Sequence, residues 1–147
     1  MSNNFDEFVN KLQKEINEIE INNHNERIVN LCYNPENWGK PPEEEITVSE
    51  ERYGRSKGYF LGLYLKIEED IIVKANFTTD GCGVMIATGS QTTILIKGHS
   101  IEFAEKIKGE DIEKALTGLP KNEDHCLDLA IETLRSAIEK YKSRKLI

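Results

Sequence analysis

Two β-rich runs separated by a short acidic turn constrain the fold of this chain more than any other feature. Residues 59–67 and 71–79 are rich in aromatic and branched side chains, which favour strands. Because only residues 68–70 lie between them, the two runs predict an antiparallel hairpin. A looser alternation over residues 46–53 predicts an edge strand.

Helical patterns flank the predicted hairpin on both sides. Gly98 is a helix stop and Ser100 a helix cap, so they separate two of the predicted helices. A helix, a few strands and then several helices predict an α+β domain, with helices packed on one face of a small antiparallel sheet. The predicted helices cover residues 26–32, 84–97, a short segment after Ser100, residues 112–116, and a long segment from residue 122 or 124 into the tail.

Residues 1–22 predict an N-terminal extension to a domain formed by residues 23–147. Within the extension, residues 3–19 predict an amphipathic helix. We favour a helix that packs on its own domain, and the alternative is a helix that binds a partner or a second copy of the chain. Its predicted apolar face contains Phe5, Phe8, Val9, Leu12, Ile16 and Ile19.

Composition excludes several classes of function. The net charge of -7 over 147 residues argues against a nucleic-acid-binding protein, which needs clustered Lys and Arg. The basic residues between 140 and 145 instead suit the carboxyl end of a helix. No apolar run approaches the ~20 residues that span a bilayer. The three cysteines, without an export signal, predict a cytoplasmic protein that uses them as thiols or metal ligands.

Cys82 lies between two glycines, where the second strand of the hairpin gives way to a helical pattern. At the start of a helix, the helix dipole and free amide groups stabilise a thiolate, which makes it a better nucleophile and metal ligand. The alternative is a small buried apolar residue.

His125 and Cys126 form a second candidate cluster, in the first turn of the last predicted helix. Cysteine and histidine together suit zinc and iron-sulfur centres. A thiol enzyme would also need a group to orient the histidine, for which Asp124 and Asp128 are the candidates. Nothing else supports catalysis, so the chain is not expected to be an enzyme. Cys32 precedes a loop, where it either packs or approaches the site.

Three segments together carry a resemblance to a known family. The segment from Asn34 to Gly39 reads Asn-Pro-Glu-Asn-Trp-Gly, residues 79–83 read Thr-Asp-Gly-Cys-Gly, and Leu119-Pro120 precedes His125-Cys126. Over residues 26–147 the chain resembles the IscU/NifU-type (SufU-like) iron-sulfur cluster assembly scaffold family. The resemblance implies a three-stranded antiparallel sheet with helices packed against it.

The resemblance also implies a function. Members of that family receive sulfur from a cysteine desulfurase, assemble a [2Fe-2S] cluster with iron, and pass it to recipient proteins. Zinc often occupies the empty site. The implied ligands are Cys82, His125 and Cys126, at the positions that match the family's motifs.

The chain departs from the family pattern at two implied ligand positions. Lys57 aligns with the first cysteine of the family's Cys-Gly-Asp motif and Tyr59 with its aspartate. A lysine ammonium has no free lone pair for a metal, although it can pair with a thiolate. The remaining ligand would come from Cys32, water, a small thiol or a second subunit.

The segment before His125 also differs from the family. Residues 119–123 read Leu-Pro-Lys-Asn-Glu, which lacks the second proline and reverses the charge of the last residue in the segment bound by a specialised Hsp70-type chaperone. Recognition by that chaperone is therefore not favoured. Two functions stay open from the sequence: an iron-sulfur scaffold or carrier, and a module with the same fold that holds zinc or contacts partners without assembling clusters.

Overall fold

The computed structural model describes residues 7–10, 25–54, 58–81, 83–120 and 123–145. Five α-helices, one 3-10 helix and three strands have defined bounds within these residues. In chain order they are α1 (Glu26–Tyr33), the 3-10 helix (Glu43–Glu45), β1 (Val48–Tyr53), β2 (Phe60–Glu68), β3 (Ile71–Thr79), α2 (Gly83–Ile96), α3 (Ile101–Glu105), α4 (Gly109–Ala115) and α5 (Asp124–Lys145).

The three strands form one antiparallel sheet in the order β1-β2-β3. Leu65 in the central strand lies opposite Val48 on one side and Ala75 on the other, and all three side chains are buried. This row therefore faces the core. Glu69 and Asp70 both have positive φ angles, of 51° and 62°, as the tight two-residue turn of a hairpin requires. The predicted α+β fold, with a three-stranded antiparallel sheet and packed helices, is confirmed.

Helix α2 is buried on nearly every side, because it lies between the sheet, α1 and α5. Two of its threonine hydroxyl groups are satisfied within the helix. Thr88 donates to the Val84 carbonyl and Thr92 to the Thr88 carbonyl, both at 2.7 Å. These bonds allow polar side chains to occupy a buried helix, since an unpaired buried polar group would cost about 1–3 kcal/mol.

Two further side chains of α2 hold the loop that follows α1. The Ser90 hydroxyl accepts from the Glu36 amide at 2.8 Å and donates to the Glu36 carbonyl at 3.0 Å. The Asn37 side chain donates to the Thr93 hydroxyl at 3.1 Å, and the Asn37 carbonyl accepts from the Phe77 amide of β3 at 3.0 Å. The loop is thus fixed to both the central helix and the sheet.

The basic residues at the end of α5 form hydrogen bonds with other parts of the domain. Lys145 Nζ bonds Asp70 at 2.8 Å and Tyr141 donates to the same carboxylate at 2.7 Å. The hydrogen bond from Lys145, with that from Tyr141, lowers the pKa of Asp70 from its usual value. Arg144 donates to the Thr47 carbonyl at 2.9 Å. These bonds hold the end of α5 against the hairpin turn and the start of β1.

The boundaries of some elements differ from the prediction. Helix α4 begins at Gly109, three residues before the predicted start, because the Asp111 carboxylate accepts from the Lys108 amide at 2.9 Å and caps the helix. Residues 7–10 are helical, and the rest of the predicted helix over residues 3–19 lies outside the described residues. Phe8 and Val9 are exposed, so the predicted apolar face is not packed on the domain at these two positions.

Within the described ranges, no helix has both the length and the apolar character needed to cross a membrane.

The close approach of α2 to the sheet gives a test of the packing. A Cβ atom at Gly89 would lie 2.6 Å from Cδ2 of the buried Phe77 ring. Gly89→Ala should therefore lower the free energy of unfolding by about 1–3 kcal/mol through overpacking, despite the gain of about 1 kcal/mol for alanine in a helix interior. Urea denaturation measures the change.

Gly109→Ala is the matched control, because a Cβ there would lie 3.4 Å from its nearest neighbour, Leu127 Cβ. It should be close to neutral or stabilising. An equal effect of the two substitutions would contradict the described contact between α2 and β3.

Candidate functional site

The first turn of α5 places a buried thiol beside a carboxylate. The side chain of Cys126 is fully buried, and its Sγ lies 3.8 Å from Glu123 Oε2, within range for a thiol that donates to a carboxylate. The Cys126 amide also donates to the Glu123 carbonyl at 3.1 Å. This backbone bond fixes the spacing between the two residues, so both side chains project from the same end of the helix.

His125 supplies a nitrogen that lacks a hydrogen-bond partner. Its Nε2 is buried, and no residue of the described part of the chain bonds to it. Glu123 Oε2 is 3.4 Å away, but the pair does not meet the distance and angle of a hydrogen bond. Leaving a buried polar atom unpaired costs about 1–3 kcal/mol. Such an atom is well suited to bind a ligand that supplies the missing interaction.

Hydrogen bonds join the turn between β3 and α2 to the start of β2. The Asp80 carboxylate accepts from the Phe60 amide at 2.7 Å. The Thr79 hydroxyl accepts from the Gly81 amide at 3.0 Å and donates to the Phe60 carbonyl. These bonds hold Gly81 and Gly83, the two neighbours of Cys82, beside the position where β2 begins.

Tyr59 connects this turn to the first turn of α5. A Cβ at Gly81 would lie 3.1 Å from Tyr59 Cγ, and the Tyr59 ring centroid lies 5.8 Å from that of His125. Gly81, which precedes Cys82 in the chain, and His125 therefore both lie beside the Tyr59 ring. Cys82 and Lys57 themselves lie outside the described residues, so their predicted roles rest on their neighbours in the chain.

Cys32 lies against the same turn from α1. It is half-buried and forms no disulfide, and a Cβ at Gly83 would lie only 2.6 Å from its Sγ. The glycine after Cys82 is needed because it leaves room for this sulfur. Cys32 thus packs against the turn that contains Cys82, and a role as a ligand stays a prediction.

The aspartates offered as partners for His125 are placed differently from the prediction. Asp124 and Asp128 are both exposed, and no hydrogen bond or ion pair among the described residues joins either side chain to His125. The carboxylate close to the imidazole is that of Glu123, which the sequence reasoning did not select as a site residue. The charge reversal at this position relative to the family segment is the feature of the sequence that could have indicated Glu123.

Glu123, His125 and Cys126 bring three potential metal-ligating atoms together. One ligand atom from each residue lies within 4.8 Å of the other two. Oxygen, nitrogen and sulfur donors of this kind suit zinc and divalent iron. With the described geometry, the chemistry that this end of the molecule supports best is metal or cluster binding.

Comparisons with known proteins agree with this geometry. The family described as NifU-like N terminal domain matches residues 23–147. The iron-sulfur cluster assembly protein IscU of Plasmodium falciparum is 35% identical over 127 residues, which cover 86% of this chain and 78% of that protein. The iron-sulfur cluster assembly scaffold protein IscU of Escherichia coli is 35% identical over 124 residues, 83% of this chain and 96% of that protein.

A solved structure shares the fold. The nitrogen-fixing NifU-like protein (N-terminal) from Brucella abortus superposes with a TM-score of 0.62 at 14% identity, over 81% of this chain and 94% of that chain.

The contact between Cys32 and Gly83 is open to a double-mutant test. Gly83→Ala should cost about 1–3 kcal/mol of folding stability through overpacking, and much less in a Cys32→Ala background, where the clashing sulfur is absent. The expected coupling is about 0.5–3 kcal/mol, measured by urea denaturation of the four chains. Gly109→Ala, also at the first residue of a helix, should be independent of Cys32. Additive effects of Gly83→Ala and Cys32→Ala would refute the contact.

Proposed function

Because this chain belongs to the NifU-like N-terminal domain family, we propose that it is an iron-sulfur cluster assembly scaffold or carrier. Its cargo is iron and sulfur, held as a transient [2Fe-2S] cluster, and zinc is expected at the same residues in the isolated protein. The proposed ligands are Cys82, His125 and Cys126. The observation that carries the proposal is the buried, unpartnered Nε2 of His125 beside the buried Cys126 thiol.

The residues present fit such a cargo. Thiolate and imidazole are the usual protein ligands of iron-sulfur centres and zinc, and the first turn of α5 provides one of each. The contacts of Tyr59 with Gly81 and His125 support the proposed role of Cys82, which follows Gly81 in the chain. The Tyr59 ring shields this side of the site, at the position where the family pattern has a carboxylate. We propose for Lys57 an accessory role, pairing with a thiolate.

The reduced ligand set suits a carrier that releases its cargo. A cluster held by fewer thiolates, close to the surface, is easier to transfer than one enclosed by four cysteines.

The proposed partners are a cysteine desulfurase as sulfur donor and apo iron-sulfur proteins as recipients. The odd number of cysteines, of which Cys32 and Cys126 form no disulfide, suits the cytoplasm. Residues 1–22 are proposed as an extension that contacts a partner or a second copy.

The alternative from the sequence, a zinc-binding or regulatory module without cluster assembly, is not favoured. Relatives that are about 35% identical over most of this chain carry the names of cluster assembly proteins. Catalysis is not part of the proposal, since the candidates for an orienting aspartate, Asp124 and Asp128, are exposed.

Anaerobic reconstitution with iron and sulfide tests the proposed ligands. Cys82→Ala and His125→Ala should each reduce bound cluster about tenfold or more, because even outer partners of a metal site contribute 10–100-fold. The readouts are visible absorption and the iron, sulfide and zinc content. His99→Ala is the matched control for His125→Ala, since His99 stacks on Phe103 with ring centroids 4.0 Å apart, and it should retain the cluster. A cluster that persists in Cys82→Ala would overturn the proposal.

A further inference from the structure

We propose that the carboxylate of Glu123 is a ligand of this site, so that Glu123, His125 and Cys126 together hold a single divalent metal ion. The inference rests on the proposed function and adds a ligand to the set proposed there. Glu123 replaces the oxygen donor that the family pattern has at the position of Tyr59.

The spacing of the described donor atoms fits one tetrahedral ion. Zinc bonds to nitrogen and oxygen are about 2.0–2.1 Å long and those to sulfur about 2.3 Å, so tetrahedral ligands lie about 3.3–3.4 Å apart for nitrogen and oxygen and about 3.6 Å apart for oxygen and sulfur. In the structure, His125 Nε2 and Glu123 Oε2 are 3.4 Å apart. Glu123 Oε2 and Cys126 Sγ are 3.8 Å apart. The donor atoms therefore already lie near the separations that a bound ion requires.

The unpartnered nitrogen of His125 is a second observation that points to a ligand. His125 Nε2 is buried and has no hydrogen-bond partner in the described part of the chain, although Glu123 Oε2 lies 3.4 Å away. A metal ion bound between the two groups would supply the interaction that Nε2 lacks.

The position of Glu123 in the chain also favours a fixed ligand. Its carbonyl accepts the Cys126 amide at 3.1 Å, so its backbone is held by the first turn of α5. Its side chain is 27% exposed and that of His125 is 16% exposed, so the donor atoms are largely screened from water. Carboxylate, imidazole and thiolate form a mixed donor set that zinc and divalent iron accept.

Competition with a chromophoric chelator measures the affinity for Zn²⁺ and tests the inference. Glu123→Gln keeps the size of the side chain and removes its charge, and it should weaken Zn²⁺ binding about 10–100-fold. Asp124→Asn is the matched control, because it removes the same charge from the exposed neighbouring residue. It should leave the affinity unchanged. Cys32→Ala should also leave it unchanged, since the proposed set contains no third cysteine.

Cobalt substitution distinguishes a ligand from a residue that only positions one. In the Co²⁺-loaded chain, Glu123→Gln should change the ligand-field bands and retain the charge-transfer bands of the two thiolates. Circular dichroism of the metal-free variants checks that they are folded. Unchanged ligand-field bands in Glu123→Gln, or a loss of affinity in Cys32→Ala equal to that expected for Glu123→Gln, would refute the role of Glu123.

The same assay separates this inference from the proposed function. Normal Zn²⁺ binding by Glu123→Gln, together with its loss in Cys82→Ala, would overturn the role of Glu123 alone. Normal binding by both Cys82→Ala and Cys126→Ala would overturn the proposed site itself.

Discussion

The buried position of helix α2 is the constraint on which the rest of the molecule depends. Its contact with β3 requires a glycine at position 89, because any side chain there would meet the Phe77 ring. Its hydroxyls are paired within the helix or with the Glu36 backbone. Since α2 begins at Gly83, directly after Cys82, the packing of the helix also determines where the thiol-bearing turn lies. The site therefore depends on the core.

A second consequence is that the site lies where three elements end or begin. Helix α5 presents His125 and Cys126 in its first turn, β2 starts beside Tyr59, and Cys32 of α1 contacts Gly83. Cys32, His125 and Cys126 lie in helices that are held by backbone hydrogen bonds. The space between these side chains is not part of any helix or strand. Such an arrangement can lose one ligand and gain another without altering the fold. The carboxylate of Glu123 beside His125 is a potential ligand of this kind.

Much of the fold could be predicted from residue patterns. The hairpin follows from two apolar runs across a short turn, and α5 from an apolar face repeated along the helix, because both patterns are local. The start of α4 was predicted too late, since it depends on one hydrogen bond from Lys108 to Asp111. The placement of Glu123 beside His125 depends on the path of the chain before α5, and that of Cys32 on the packing of α1 against α2. The spacing of apolar residues along the sequence does not indicate either contact.

The central claim is that this chain binds an iron-sulfur cluster and transfers it to an acceptor protein. Native mass spectrometry tests it most directly, on the reconstituted protein before and after mixing with an apo-ferredoxin. The account predicts an adduct with the mass of two iron and two sulfide ions, which leaves this chain and appears on the acceptor. Zinc as the sole adduct after reconstitution, or a cluster that never reaches the acceptor, would contradict it.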